Sequence, residues 1–557
     1  MNMRFASLAL LTVVATTALG GSCSYRNGTI NRIVDPYWRK ADFTKDNEWY
    51  VRTTVVDAPP EAPYISIADG DWLMLEKIRW EITETALIGW RSYAVVPGSD
   101  DDTYPGSDDV YKGEPVAVFR ITDHFDIKQD FDPATGEKGN TIVENHDRLW
   151  FDRAFMRVDW SVNRVPTFKF HIFLNQVRDT EVVAQNDIGD PKRYRFENDA
   201  NGNLDYFEVT TRTQVEPDLY TYFGFYGVPY AYDPAGAVIS MRHSFMKVPA
   251  SDYQPLPMPP SVVLEDANGK EVRDSKGFAV RVPINDRFGY FGTLGRQTFD
   301  QNRGIVSSGQ IFNAARFNIW EHHTNPDGTI IPIDQRKPKM ITYYTNVEHP
   351  EALINGSKRV AKEWNRSFRS MIAAAQPQRY TGAPDDDGIP SDVPEMFHLA
   401  INDCNFDNVG TVLKNMPDDL RAQVESSSAR EAYNTSVVSF DGTFQQAKDR
   451  FTHAQDETQG TFTTRSDEEN QAKNDLERIC SSLEYVTQGD PTLGIAPPTE
   501  LGKDGKKIPQ FKYERLGDPR YSMIDLIVGT FQSDWLGYGP PYSDPITGET
   551  ICGTANI

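Results

Sequence analysis

Apolar residues interleaved with polar ones make four short runs near the start of the chain: Asn47–Val56, Leu75–Ile82, Ala86–Val96 and Pro115–Ile121. In the second run Ile78, Trp80 and Ile82 fall on one face while Lys77, Arg79 and Glu81 take the other, the period of two that a pleated strand imposes. Pro, Gly, Asn and Asp punctuate these runs densely, as antiparallel hairpins require. The same alternation recurs at Met156–Trp160, Tyr206–Thr211 and Ala237–Met246, so residues from about 45 to 310 are expected to form one or two mostly-β modules.

Beyond that point the period changes. Lys339–Thr345 reads as a strand, and after it Val360, Trp364, Phe368, Ile372 and Ala375 make a helical stripe while Lys362, Glu363, Arg366 and Arg369 are left for water. An amphipathic helix laid on a sheet is expected there. From Val409 to Gly489 the chain is rich in Glu, Gln, Asp, Ala and Ser and reads as a helical insertion. Strand character returns at Arg520–Val528, after the Pro- and Lys-containing stretch from Pro497 to Pro509, and again at Thr550–Ile557. The fold class is α+β: mostly-β module(s) over 45–310, a strand-helix unit over 311–408, the helical insertion over 409–489 and terminal strands over 490–557.

Composition narrows the possible roles. With 557 residues, 39% of them hydrophobic and 12% aromatic, the chain has ample material for packed cores. Its 57 basic residues against 80 acidic ones give a formal net charge of -23. Such a surface repels phosphate backbones, which argues against nucleic acid as a principal partner.

Met1 to Arg4 is a short basic start, followed by an apolar run from Phe5 to Leu19 and by Gly20-Gly21-Ser22-Cys23. The run is short for a membrane span, which takes about 20 apolar residues, and reads as a cleaved export signal over 1–23, with 24–44 as a linker. Small residues leading to a cysteine resemble a bacterial lipobox, although Leu19 stands one place further from Cys23 than that pattern has it. Lipidation of Cys23 is expected, the alternative being an ordinary signal cleaved near Gly21 or Ser22. The protein is therefore expected to be exported and held by lipid in the periplasm or at the cell outer membrane.

Four cysteines occur in the chain. With Cys23 carrying lipid, Cys404 and Cys480 bracket the polar helical block and are the expected disulfide, which leaves Cys552 over. Two acidic loops raise the question of calcium. Asp199-Ala-Asn-Gly-Asn-Leu-Asp205 has its Gly and its acidic residues out of place for an EF-hand and reads as a hairpin turn at Asn201-Gly202. The loop from Pro97 to Asp109 reads as a solvated acidic segment.

One set of motifs carries a family likeness. Strand, long helix and strand, then Gly517-Asp-Pro-Arg-Tyr-Ser-Met-Ile524, then Gly537-Tyr-Gly-Pro-Pro-Tyr-Ser-Asp-Pro-Ile-Thr-Gly-Glu-Thr-Ile551, resembles the metzincin-like zinc metalloproteases of bacterial envelopes. In that family a Gly-Asp-x-Arg-Tyr strand precedes an Asp-Pro-x-Thr-Gly-Glu-Ile hairpin turn, and the strand beyond leads into the zinc-binding helix. Asn47-Glu-Trp-Tyr50, Leu75-Glu-Lys-Ile-Arg-Trp80 and Val360-Ala-Lys-Glu-Trp-Asn365 are similar to segments of large exported lipoproteins that carry such a domain. The turn alone is weak, since Asp132-Pro-Ala-Thr-Gly136 repeats it in the β-rich half; its position after the Arg520-Tyr521 strand adds the weight. The likeness implies an incomplete zincin-like α/β half-domain. Its terminal strand, at Gly548, Glu549, Thr550 and Ile551, would be an unsupported edge able to pair with a polypeptide substrate.

The chemistry that the likeness calls for is missing from this sequence. A zincin holds its metal with two histidines one helical turn apart and a Glu between them, and the chain has nine histidines but no His-Glu-x-x-His. Glu321-His322-His323 is the one histidine cluster, and neighbouring residues on a strand point to opposite faces. His171 and His243 read as strand residues and His349 as a turn residue, and neither a Gly-x-Ser-x-Gly elbow nor a Cys-His signature occurs. No cofactor is expected in this chain, and zinc only where a catalytic segment follows it. Two functions are thus expected: the front part of an envelope zinc metallopeptidase, not catalytic in isolation, or a non-enzymatic surface lipoprotein that binds protein or glycan.

Overall fold

A computed structural model describes residues 37–59, 69–70, 74–92, 94–95, 112–136, 138–160, 164–165, 174–182, 189–217, 237–258, 261–283, 291–298, 310–428, 444–456, 458, 461–489, 498–499, 501–526, 539 and 541–556. Cys23 with its export signal, the loop from Pro97 to Asp109, His171 and Ile557 lie outside the described residues. The class is α+β, with a large curled antiparallel sheet in the N-terminal half and the helices in the C-terminal half.

The alternating runs form that sheet. Its strands are β1 (Trp38–Arg39), β2 (Glu48–Asp57), β3 (Glu76–Ile82), β4 (Ala86–Ser92), β5 (Lys112–Phe131), β6 (Lys138–Asn145), β7 (Phe155–Asp159), β8 (Leu174–Val182), β9 (Arg195–Asn198), β10 (Leu204–Pro217) and β11 (Ala237–Lys247). The order across the sheet is β1-β7-β5-β4-β3-β2-β11-β10-β9, with β6 on β5 and β8 on β10. The sheet curls until its two ends meet: the Trp38 ring lies 4.2 Å from that of Phe196, and Arg39 donates to the Gly202 carbonyl at 2.6 Å. Aromatic rings fill the inside, with Phe43, Trp49, Trp80, Phe119, Trp160, Phe207 and Phe245 all buried in one cluster. Ile78 and Trp80 point into this core as the period predicts, yet Lys77 on the opposite face is buried too, because the C-terminal half covers that side.

The second sheet contains β12 (Arg316–Phe317), β13 (Ile341–Thr345), β14 (Phe397–Ala400), β15 (Ser522–Asp525), β16 (Pro541–Ser543) and β17 (Glu549–Asn556), in the order β12-β17-β15-β13-β14 with β16 on β17. All of its pairings are parallel except that of β16 with β17. Helix α1 (Glu351–Ala375) joins β13 to β14 across one face. Helices α2 (Phe406–Asn415), α3 (Asp418–Ser428), α4 (Phe444–Ala454) and α5 (Phe462–Gln488) intervene between β14 and β15 and share a core around Val409, Leu413, Ala472, Ile479 and Leu483. Asn405 caps α2 and Thr461 caps α5, each accepting from the backbone N–H three residues on.

Two sequence expectations need correction. Val360 and Trp364 are 53% and 54% exposed, and the residues of α1 that are buried are Ile354, Ser357, Ala361 and Ile372. A run spaced strictly by four advances about 40° per step round a helix of 3.6 residues per turn, so it starts exposed at Val360, brings the Trp364 and Phe368 rings to 6.3 and 6.2 Å from that of Phe397, and is buried only at Ile372. The terminal strand is not an edge. Glu549 and Thr550 pair with Arg316 and Phe317, Met523 to Asp525 pair with Thr554 to Asn556, and β16 runs antiparallel along Thr550 to Gly553. Gly548, Glu549, Thr550 and Ile551 therefore offer no free strand to a substrate.

Candidate functional site

In open sheets of parallel strands, polar residues collect beyond the carboxyl ends, where loops diverge and leave room for a ligand. Here β14, β13, β15 and β17 end side by side on Ala400, Thr345, Asp525 and Asn556. Asparagines stitch the rim. Asn346 takes the Leu526 N–H on its Oδ1 and donates to the Leu526 carbonyl, while Asn402 donates to the carbonyls of Thr345 and Glu514.

Carboxylates gather behind that rim. Asp525 is buried and its acid is pushed up to about 7, first by burial and then by the charge of Asp69. Glu348, three residues past β13, is also raised, by burial and by Asp525 and Asp69; Glu477 on α5 is raised by burial and by Glu348. Lys473 of α5 lies among them, donating to the His349 carbonyl and pairing with Glu469 at 3.0 Å. Burial and this lysine hold His349 down at about 4, so its imidazole is neutral at pH 7 and shares a hydrogen bond of 3.0 Å with Ser357. Chemically the rim is a cluster of buried and half-buried carboxyls whose acids are raised towards neutrality by burial and mutual repulsion, a setting suited to holding a cation or to donating protons.

The two motifs that carry the family likeness lie at the opposite, amino ends of β15 and β17 and do structural work there. Gly517 has φ +90 and lies against Thr54 and Arg242 of the curled sheet, where a side chain would crowd Thr54. Just past it Asp518 and Arg520 join a lattice of buried charges: Arg520 pairs with Asp518 at 2.6 Å and with Glu197 at 2.8 Å, and its guanidinium stacks 3.7 Å over Tyr206. Arg195 joins Glu197 to Glu484 of α5, and Arg515 bridges Glu208 to Glu484. The Asp544-Pro-Ile-Thr-Gly548 turn closes with Asp544 Oδ1 accepting from Ile546 and Thr547 while its Oδ2 accepts from Tyr50 at 2.6 Å and Lys77 at 3.1 Å. Asp132-Pro-Ala-Thr-Gly136 makes the same kind of turn at an exposed hairpin tip. Only the second copy is anchored to the other half of the molecule.

The remaining residues of interest are dispersed. Cys404 and Cys480 are joined in a disulfide that ties the start of the helical block to α5. Cys552 is a buried free thiol beside Arg52, whose guanidinium stacks on Tyr542. In Glu321-His322-His323, Glu321 pairs with Lys337, His322 points to solvent, and His323 is buried between Asn318 and Arg336, both at 3.0 Å. Burial and Arg336 press the His323 imidazole down to about 4. The other described histidines are scattered: His124 meets the Glu84 carbonyl, His243 Thr53 and Thr211, His398 Glu395, and His453 Glu468. Among the described residues one group has three ligand-type side chains close together, Asp123, Glu144 and His146, and the Arg157 guanidinium already pairs with both of its carboxylates. No pair of histidines among the described residues is placed to hold a catalytic zinc.

The rim escaped the sequence reading because its members are far apart in the chain and individually ordinary. Their one shared signal is position, each lying on or just past a strand end or on the helix that packs there. No protein-family model, curated protein or solved structure matches the chain.

Proposed function

We propose that the protein is a lipid-anchored component of the cell envelope whose C-terminal half is the front part, the sheet and first helix, of a zinc metallopeptidase-like domain. As an isolated chain it is not catalytic. One observation carries this reading: strand, long helix and strand are followed by the Gly-Asp-Pro-Arg-Tyr segment, a parallel strand and a hairpin whose last strand runs parallel in the same sheet. That is the order of elements the family likeness calls for, and both of its signature turns sit at the joints. The reading implies a membrane partner through Cys23, a polypeptide substrate and a histidine-bearing helix that this sequence does not contain.

Reading the coding sequence past Ile557 tests it directly. A His-Glu-x-x-His within roughly one hundred residues is expected. A stop codon there would replace the reading with that of a non-enzymatic surface lipoprotein binding protein or glycan. The anchor is tested separately: Cys23→Ala should move the protein from the detergent phase to the aqueous phase, and a mature N-terminus elsewhere would remove the lipid from the proposal.

A further inference from the structure

Asp525 and Asn556 are paired in register at the ends of neighbouring parallel strands, and they are only 2% and 1% exposed. The Asn556 amide N–H is directed at the Gly70 carbonyl at 3.5 Å. That leaves Asn556 Oδ1 and Asp525 Oδ2 as buried acceptors without a hydrogen-bond donor among the described residues. The two oxygens converge on one place: a Cβ on Gly70 would stand 2.6 Å from Asp525 Oδ2 and 3.3 Å from Asn556 Oδ1. Gly70, at φ +82 and held by its N–H to the Val55 carbonyl, is thus the floor of a small cradle. Asp69 beside it brings a second carboxylate into electrostatic range of Asp525.

Enclosed acceptor oxygens that face one another are satisfied by a proton or by a cation. We propose that Asp525 and Asn556, with water completing the shell, bind a hard divalent cation, of the calcium or magnesium class, at the carboxyl rim of the parallel sheet. The donor set is all oxygen, one carboxylate and one amide carbonyl, which suits hard ions and offers nothing to the nitrogen- and sulfur-seeking metals. Glu348 adds negative charge nearby. Arg52, the positive group that acts on Asp525, is occupied by Thr554 at 2.8 Å and by the Tyr542 ring at 3.9 Å. The site supports the sheet that joins the two halves, and it stands whether or not the metallopeptidase reading holds.

The test uses the full chain stripped with chelator and titrated with calcium chloride, and in parallel with magnesium chloride, by calorimetry and by thermal unfolding. One equivalent of at least one of the two ions is expected to bind, with a rise in Tm. Asp525→Asn should weaken that binding at least tenfold while leaving the metal-free Tm equal or higher, because it removes a buried acid. Gly70→Ala, which fills the cradle, should also abolish it. Asp123→Asn, in the exposed Asp123-Glu144-His146 group, should change nothing. Absence of saturable binding of both ions to the wild-type chain overturns the proposal, and so does unchanged binding in Asp525→Asn or loss of binding in Asp123→Asn.

Discussion

Arg515 shows what a single buried residue carries in this molecule. It is fully enclosed, donates to Glu208 at 2.7 Å and to Glu484 on the other fork, and lies 4.8 Å over Tyr513. Arg515→Met would keep most of the volume but leave two buried carboxylates without their partner, so urea unfolding should show a loss of about 3–5 kcal/mol. Lysine would not replace the fork, since one ammonium cannot reach two carboxylates in a plane.

The same residues set a pH profile with two limbs. Although burial works against it, Arg242 and Arg515 pull Glu208 down to about 2, below the roughly 4.3 of an unfolded glutamate. Its contribution is therefore complete above about pH 4 and lost as pH falls through about 2. Asp525 and Glu514 are shifted the other way, each up to about 7, mainly by burial. Their contribution is complete below about pH 4 and lost as pH rises through 7. In chelator, stability is expected to peak in the mildly acidic range and to fall towards pH 8. Asp525→Asn with Glu514→Gln should make the alkaline limb shallower and leave the acid limb alone, with Glu348 and Glu477 supplying the rest of the slope; an unchanged slope there would assign the titration elsewhere.

At the scale of elements, α1 separates what the sequence made legible from what it hid. The helix itself was legible because its charged and apolar residues segregate, but its orientation was not, because the i, i+4 run begins exposed at Val360 and turns inward only towards Ile372. Ile372→Ala should cost about 2–5 kcal/mol, whereas Trp364→Ala, despite the larger side chain, should cost under about 1 kcal/mol. Equal losses would mean that Trp364 is covered in solution. The strands of the curled sheet were legible from their period of two, which needs no knowledge of partners. The last strand was misjudged for the opposite reason: its neighbours β12 and β15 come from positions around 316 and 523, and pairing over such separations leaves no local mark. The carboxylate rim was hidden in the same way, since Asp525, Asn556 and Glu348 become a group only when their strands lie side by side.

Over the whole molecule the two halves share charges instead of merely touching. Glu197, Glu208 and Arg195 belong to the curled sheet, while Glu484, Arg515 and Arg520 come from the C-terminal half, and all but Arg520 are buried. Separating the halves would expose this lattice as a unit, so thermal unfolding is expected as one transition, and two resolved transitions would show the interface to be weaker than its contacts indicate. The disulfide acts within the helical block. Cys404 and Cys480 are 76 residues apart, a loop whose closure is worth about 4 kcal/mol in the chain-entropy account, and a Cys404→Ala, Cys480→Ala pair should lose an amount of that order.

The seam between the halves also bears on how the chain reaches its native state. Tyr50 meets Asp544 across 494 residues of sequence, and Arg52 meets Thr554 across 502. Neighbouring hairpins such as β3 with β4 can close early because their ends are near, but these contacts wait until the segment from Asp544 to Thr554 has emerged. Until then Lys77, Tyr206 and Tyr50 line a sheet face with no cover, and a long-lived intermediate with that face open is the expected bottleneck in assembly. Pulsed hydrogen exchange during refolding should protect β3 and β4 well before β15 and β17, which makes the strand at the centre of the second sheet among the last to arrive.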